Sequence, residues 1–66
     1  MDIKKGSTVV VESRTGLRRA IVVDHASFYD PRLFKDGGWI IEGSSDRGGW
    51  VKWVQHEDGG CILEIK

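Results

Sequence analysis

The fold is decided by residues 37–55, which read GGWIIEGSSDRGGWVKWVQ. Two runs rich in β-branched and aromatic residues, 38–43 and 50–55, flank the polar, glycine-containing segment 44–48. Such runs on either side of a short turn segment are typical of strands. The stretch therefore predicts a β-hairpin that forms the third and fourth strands of the domain.

The second run of this hairpin contains two tryptophans, Trp50 and Trp53, three residues apart. Successive side chains of a strand point to opposite faces, so these two rings are predicted to lie on opposite sides of the sheet. We expect Trp53 to lie in the core with Val51, and Trp50 to lie at the surface.

Three further strands are predicted outside the hairpin, at residues 7–12, 17–24 and 61–65. The first two alternate as half-buried strands do and are joined by the turn Arg14-Thr15-Gly16. They are predicted to form a hairpin of their own, although both are apolar on both faces and a slip of one residue would exchange those faces.

Two connections complete the chain. Residues 25–36 break the alternation and contain the turn dipeptide Asp30-Pro31, which predicts a long connection and a candidate functional loop. Residues 56–60 predict a short connection of at most one helical turn, and no other helix is expected. The predicted core consists of Val9, Val11, Ala20, Val22, Ile41, Val51, Trp53, Leu63 and Ile65, with Cys61 on the same face.

The composition is that of one small globular domain. The chain has 66 residues, 39% of them hydrophobic, and its ten basic and ten acidic residues cancel. No aliphatic run approaches the roughly 20 residues of a membrane helix, so no membrane association is expected. A single cysteine and the lack of a visible signal peptide predict a reducing, cytoplasmic compartment.

Five short strands with one long connection between the second and the third predict an all-β fold that closes on itself. This pattern resembles the SH3-like barrels, including the Tudor-like and KOW-like families. The residues that carry the resemblance are Lys5-Gly6-Ser7-Thr8-Val9, Gly16 before Ala20-Ile21-Val22, Gly38-Trp39-Ile40-Ile41, Val51-Lys52-Trp53-Val54 and Leu63-Glu64-Ile65. The resemblance implies one five-stranded SH3-like barrel over residues 1–66.

Charge is unevenly distributed along the chain. Residues 1–23 carry five basic side chains against two acidic ones, whereas residues 24–66 carry five basic against eight acidic. A basic first hairpin is suited to contacts with phosphate groups. The candidate phosphate-binding residues are Lys4, Lys5, Arg14, Arg18 and Arg19, and the alternative is that they are solvated surface charges.

The aromatic residues form a second candidate surface. We expect Phe28, Tyr29 and Phe34 of the long connection to meet Trp39 and Trp50 of the hairpin. Such a cluster could hold a cation, a peptide or stacked bases. The alternative is that most of these rings pack the core, because aromatic side chains dominate the packing of small domains.

No residue pattern predicts catalysis, a metal or another cofactor. His25, His56 and Cys61 lack the spacing of zinc ligands, and a barrel this small offers scarcely any cleft for a nucleophile and its base. The chain is therefore predicted to be a binding module and not an enzyme.

Three kinds of partner remain open. A protein or peptide bound by the aromatic surface agrees best with the neutral net charge. Nucleic acid bound by the basic hairpin is the alternative. A homodimer is a further hypothesis, because Val10, Ile21 and Val23 leave both faces of the first hairpin apolar.

Overall fold

The computed structural model describes residues 3–29, 32 and 38–66, with the side chain of Asp58 excepted. One antiparallel sheet in the strand order β4-β3-β2-β1-β5 makes up most of this part of the chain. Its elements are β1 (Thr8–Glu12), β2 (Arg18–Tyr29), β3 (Gly38–Ser45), β4 (Trp50–Val54), the one-turn helix α1 (Gln55–Asp58) and β5 (Cys61–Ile65). The predicted all-β fold with five strands is confirmed. Within the described residues the sheet stays open, with β4 and β5 as its two edges.

Strand β2 is longer than the sequence predicted. The sequence predicts a connection over residues 25–36, but β2 runs on to Tyr29 and pairs with β3 as far as Gly38. The register shifts between Val23 and His25, so one extra residue interrupts the alternation without ending the strand. The prediction mistook a β-bulge for the end of the strand, and the connection is residues 30–37.

The core face of β2 is the opposite of the predicted one. Glu12 pairs with Arg18 and Val9 with Ile21, so residues of equal parity on β1 and β2 share a face. Val9 is buried as predicted, and Ile21 is buried with it. Ala20 is only half-buried and Val22 is 50% exposed, so both were wrongly placed in the core.

The parity predicted for β4 is confirmed. Trp53 is 3% exposed and pairs with the fully buried Ile41, whereas Trp50 is 61% exposed. The buried cluster consists of Ile3, Val9, Val11, Ile21, Val23, Ile41 and Trp53, with Ala26, Trp39, Val51, Ile62 and Ile65 packed against it.

Strand β5 departs from the prediction at two residues. A register shift against β1 pairs Val10 with Glu64 but Val11 with Ile62, and this leaves Leu63 as the extra residue. Ile62 therefore packs against the core, while Leu63 and Cys61, both predicted to be core residues, are exposed. Ile65 keeps its predicted place.

The short connection after β4 is a helical turn held by side chains. Strand β4 ends at Val54, one residue earlier than predicted, and α1 begins at Gln55. The His56 N–H donates to the Tyr29 hydroxyl oxygen at 2.8 Å, and the Trp39 N–H donates to Gln55 Oε1 at 3.0 Å. These bonds fasten α1 to the ends of β2 and β3.

Candidate anion-binding site

The loop between β1 and β2, residues 13–17, is a compact turn. The Ser13 N–H donates to the Leu17 carbonyl oxygen, and the Gly16 N–H donates to the Ser13 carbonyl oxygen, each at 2.9 Å. Gly16 has a φ of 85°, a backbone angle that residues with a side chain rarely adopt, so glycine is needed at this position. The turn leaves Arg14 and Leu17 exposed at the end of the sheet.

A pocket of about 360 Å³ lies beside this loop. Five segments of the chain line it: the end of β1, the 13–17 loop, the start of β2, the β3–β4 turn together with β4, and α1. The lining residues that the structure describes are Val11, Ser13, Arg14, Thr15, Leu17, Arg18, Arg19, Arg47, Trp53 and Glu57. We call this site the arginine pocket.

Two of its four arginines are held by main-chain carbonyl groups. Arg47 Nη2 donates to the carbonyl oxygen of Arg18 at 3.0 Å. Arg14 Nη2 donates to the carbonyl oxygen of Glu57 in α1. A carbonyl group orients a guanidinium without neutralising its charge, so these two bonds position both side chains.

Arginines outnumber acidic groups among the described residues at the pocket. Glu57 is the one carboxylate among the described lining residues. Glu12 lies just outside and pairs with Arg18, with 2.9 Å between Arg18 Nε and Glu12 Oε2. Within the described chain, Arg19 and Arg47 form no ion pair. The pocket therefore presents a net positive charge, and guanidinium groups suit phosphate or carboxylate oxygens.

The close approach of the chain after α1 to the end of β1 helps to form this site. A Cβ atom on Gly60 would collide with the carbonyl oxygen of Glu12, so the chain after α1 passes directly against the end of β1. Only glycine permits this contact without a shift of the backbone. The contact holds Glu57 and its carbonyl group beside Arg14.

The five predicted phosphate-binding residues do not lie together. Arg14, Arg18 and Arg19 all line the pocket, next to the Glu12 end of β1. Lys4 and Lys5 precede the opposite end of β1, about 14 Å away along a five-residue strand. Lys5 lies 3.7 Å from Asp24 there.

Arg47 belongs to the pocket but was absent from the predicted set. It lies in the β3–β4 turn, within the part of the chain that carries an acidic excess. Pairing of Ile21 with Ser45 brings this turn beside the start of β2. The signal available in the sequence was the exposed turn Ser45-Asp46-Arg47-Gly48, and the strand register was needed to interpret it.

The predicted aromatic surface is divided in two. Phe28 and Trp39 pair across β2 and β3, with ring centroids 5.3 Å apart and nearly perpendicular planes. The Tyr29 ring stacks on that of Phe28, with centroids 6.4 Å apart, but it is buried against His56 of α1. Phe34 lies outside the described residues.

Trp50 lies far from this aromatic group. It pairs with Ser44, five residues along β3 from Trp39, which corresponds to about 17 Å. Val22 pairs with Ser44 from the other side. Val22 and Trp50 therefore lie on either side of Ser44 on the outer face, the face of the sheet opposite the core, and we call these two residues the exposed apolar row.

The part of the chain that the structure describes contains neither a metal-binding cluster nor a membrane-spanning helix. Within the described residues, no three histidine, cysteine or acidic side chains lie together in a way that could hold a metal ion. No helix in that part of the chain is long and apolar enough to cross a membrane.

Comparisons with known proteins found no relative. The chain matches no protein-family model, no curated protein and no solved structure. Inference about its function therefore rests on the geometry of the chain itself.

Proposed function

We propose that this chain is a small, non-enzymatic binding module of the SH3-like class, and that it binds nucleic acid through phosphate contacts in the arginine pocket. The observation that carries the proposal is the gathering of four arginines, from three separate segments, around one pocket with a single carboxylate among its described lining. A polyanion is the partner that such an excess of guanidinium groups attracts most strongly.

The arrangement of the strands supports the SH3-like class. The last strand, β5, returns to lie antiparallel to β1 after a short helical turn, and a connection at residues 30–37 separates two hairpins. Register shifts in β2 and against β5 mark places where a sheet bends. With the buried residues gathered on one face, these bends favour a sheet that curls toward a barrel around its core.

The hydroxyl groups of the pocket support a binding role over catalysis. Ser13 Oγ and Thr15 Oγ1 lie 2.8 Å apart and bond to each other. A serine nucleophile requires a base within hydrogen-bond reach, and another hydroxyl group cannot serve as one. These hydroxyl groups are suited to hydrogen bonds with a ligand.

The proposal is tested by fluorescence anisotropy with labelled DNA and RNA oligonucleotides at several salt concentrations. Arg47→Ala should weaken binding roughly tenfold, because a hydrogen bond to a charged group contributes about 1.5–3 kcal/mol. It should also lower the slope of log affinity against log salt by about one. Lys52→Ala is the matched control, since it removes the same charge from an exposed residue of β4 outside the pocket. This function would be excluded if the two substitutions weakened binding equally, or if the affinity did not depend on the salt concentration.

A second candidate function is the binding of a protein or peptide, and the observation that favours it is the exposed apolar row. Val22 and Trp50 are both at least half exposed, and they lie on either side of Ser44 on the outer face. Exposed tryptophans are frequent energetic hot spots of protein interfaces. If a peptide binds there, Trp50→Ala should abolish binding without changing the fold, while Arg47→Ala should have no effect.

A further inference from the structure

The arginine pocket is concave and partly apolar, which contacts with a phosphate backbone alone do not require. Leu17 lies at its rim with 60% of its surface exposed, and the buried residues Val11 and Trp53 form deeper parts of its lining. Its volume of about 360 Å³ falls within the range of small-molecule sites. The site therefore has room and apolar surface for a group other than phosphate.

We propose that the arginine pocket accommodates one unstacked nucleotide of a single strand, with its base inside the pocket against Leu17 and its phosphates on the guanidinium groups. This inference rests on the proposed function and names the form of nucleic acid that the site selects. In a duplex, the bases are stacked and paired, so only the convex backbone can reach a pocket of this kind. Single strands can splay a base outward and stack it on arginine planes and apolar side chains.

The charges of the lining favour a base over a second phosphate or an acidic peptide in the interior. Glu57 lines the pocket on the α1 side, and its carboxylate repels any anion that enters there. The exocyclic amino group of a base can instead donate a hydrogen bond to a carboxylate. The hydroxyl groups of Ser13 and Thr15 can exchange hydrogen bonds with the edge of a base.

The guanidinium groups are anchored to different elements around this interior. Arg14 is bonded to the carbonyl group of Glu57 in α1, and Arg47 to that of Arg18 at the start of β2. A pocket whose cations are held apart can contact phosphates on both sides of an inserted base. Pre-oriented side chains also lose less conformational freedom when the ligand binds.

The test compares a labelled single strand of ten nucleotides with a duplex of the same sequence, using the wild-type chain, Leu17→Ala and Leu63→Ala. Leu63 is the control, because it is an exposed leucine outside the pocket. The single strand should bind the wild type at least tenfold more tightly than the duplex does. Leu17→Ala should weaken single-strand binding roughly fivefold, because the base loses apolar contact with the leucine side chain. It should leave duplex binding and the salt slope unchanged.

A second measurement does not depend on any variant. Trp53 lines the pocket, so its indole N–H resonance should shift when a nucleoside monophosphate is added and stay unmoved with inorganic phosphate at equal concentration. The base is not in the pocket if the duplex binds as tightly as the single strand, or if Leu17→Ala weakens single-strand binding no more than Leu63→Ala does. Either result would leave the proposal of phosphate binding unaffected. If neither form binds with a dependence on salt, the proposed function fails and this inference fails with it.

Discussion

Replacement of the two tryptophans of β4 by alanine should affect the free energy of unfolding very unequally. Trp53 is 3% exposed, pairs with the fully buried Ile41 and belongs to the central cluster, so its truncation leaves a large cavity. Truncation of a buried aromatic residue costs about 3–5 kcal/mol. A domain of this length has a total stability of roughly 3–10 kcal/mol, so Trp53→Ala should remove a large part of it. Trp50 is 61% exposed, and Trp50→Ala should cost under about 1 kcal/mol.

Urea denaturation followed by far-ultraviolet circular dichroism measures both changes, because the signal of the sheet survives the loss of either indole. Trp50→Ala should keep the wild-type midpoint to within a small shift, while Trp53→Ala should have a far lower midpoint than the wild type or be unfolded without urea. Similar midpoints for the two variants, or the reverse order, would refute the assignment of the core face of β4.

Three further substitutions test the framework of the pocket. Tyr29→Phe removes the oxygen that accepts the hydrogen bond from the His56 N–H. It should therefore destabilise the domain by about 1–3 kcal/mol and speed hydrogen exchange at the His56 amide. An unchanged exchange rate would show that Tyr29 does not hold α1. Gly60→Ala forces a Cβ atom against the Glu12 carbonyl oxygen and should lower the melting temperature; an unchanged melting temperature would show that the chain after α1 does not pass so close to β1. Glu12→Gln removes the charged partner of the exposed Arg18 and should change the free energy of unfolding by under about 1 kcal/mol. It should raise the affinity for oligonucleotides, because one negative charge beside the pocket is lost. A lower affinity would contradict a phosphate site.

Strand identity could be predicted from the sequence because alternation, β-branched residues and turn glycines are local signals. All five strands appear where such runs occur, and the opposite orientation of Trp50 and Trp53 follows from their spacing. The core face of β2 could not be derived in this way. Val22 and its neighbours are apolar on both faces, and the choice between them depends on the five residues of the 13–17 loop, which set the register with β1.

The two bulges could not be predicted from the sequence, for a related physical reason. An extra residue between Val23 and His25 reverses the alternation within β2, and another against β1 exposes Leu63. Such irregularities depend on the partner strand and leave no local signature in residue types. The errors at Cys61 and Leu63 therefore came from assuming an unbroken ladder.

The candidate site was only partly predictable because its residues meet through tertiary structure. Arg14, Arg18 and Arg19 are close in the sequence and were found by charge. Arg47 is separated from them by more than twenty-five residues and joins them only through the pairing of β2 with β3. The separation of Trp50 from Trp39 depends on the hairpin register, in which Trp50 pairs with Ser44, and closeness in the sequence does not reveal it.

Mapping of amide chemical shifts on the labelled protein, during titration with a short single-stranded oligonucleotide, tests the central claim most directly. Our account predicts that the largest shifts occur in the 13–17 loop, at Arg18, Arg19 and Arg47, and at the indole of Trp53, and that they diminish as salt is added. Shifts centred on Val22 and Trp50, or no shifts at any residue, would contradict it.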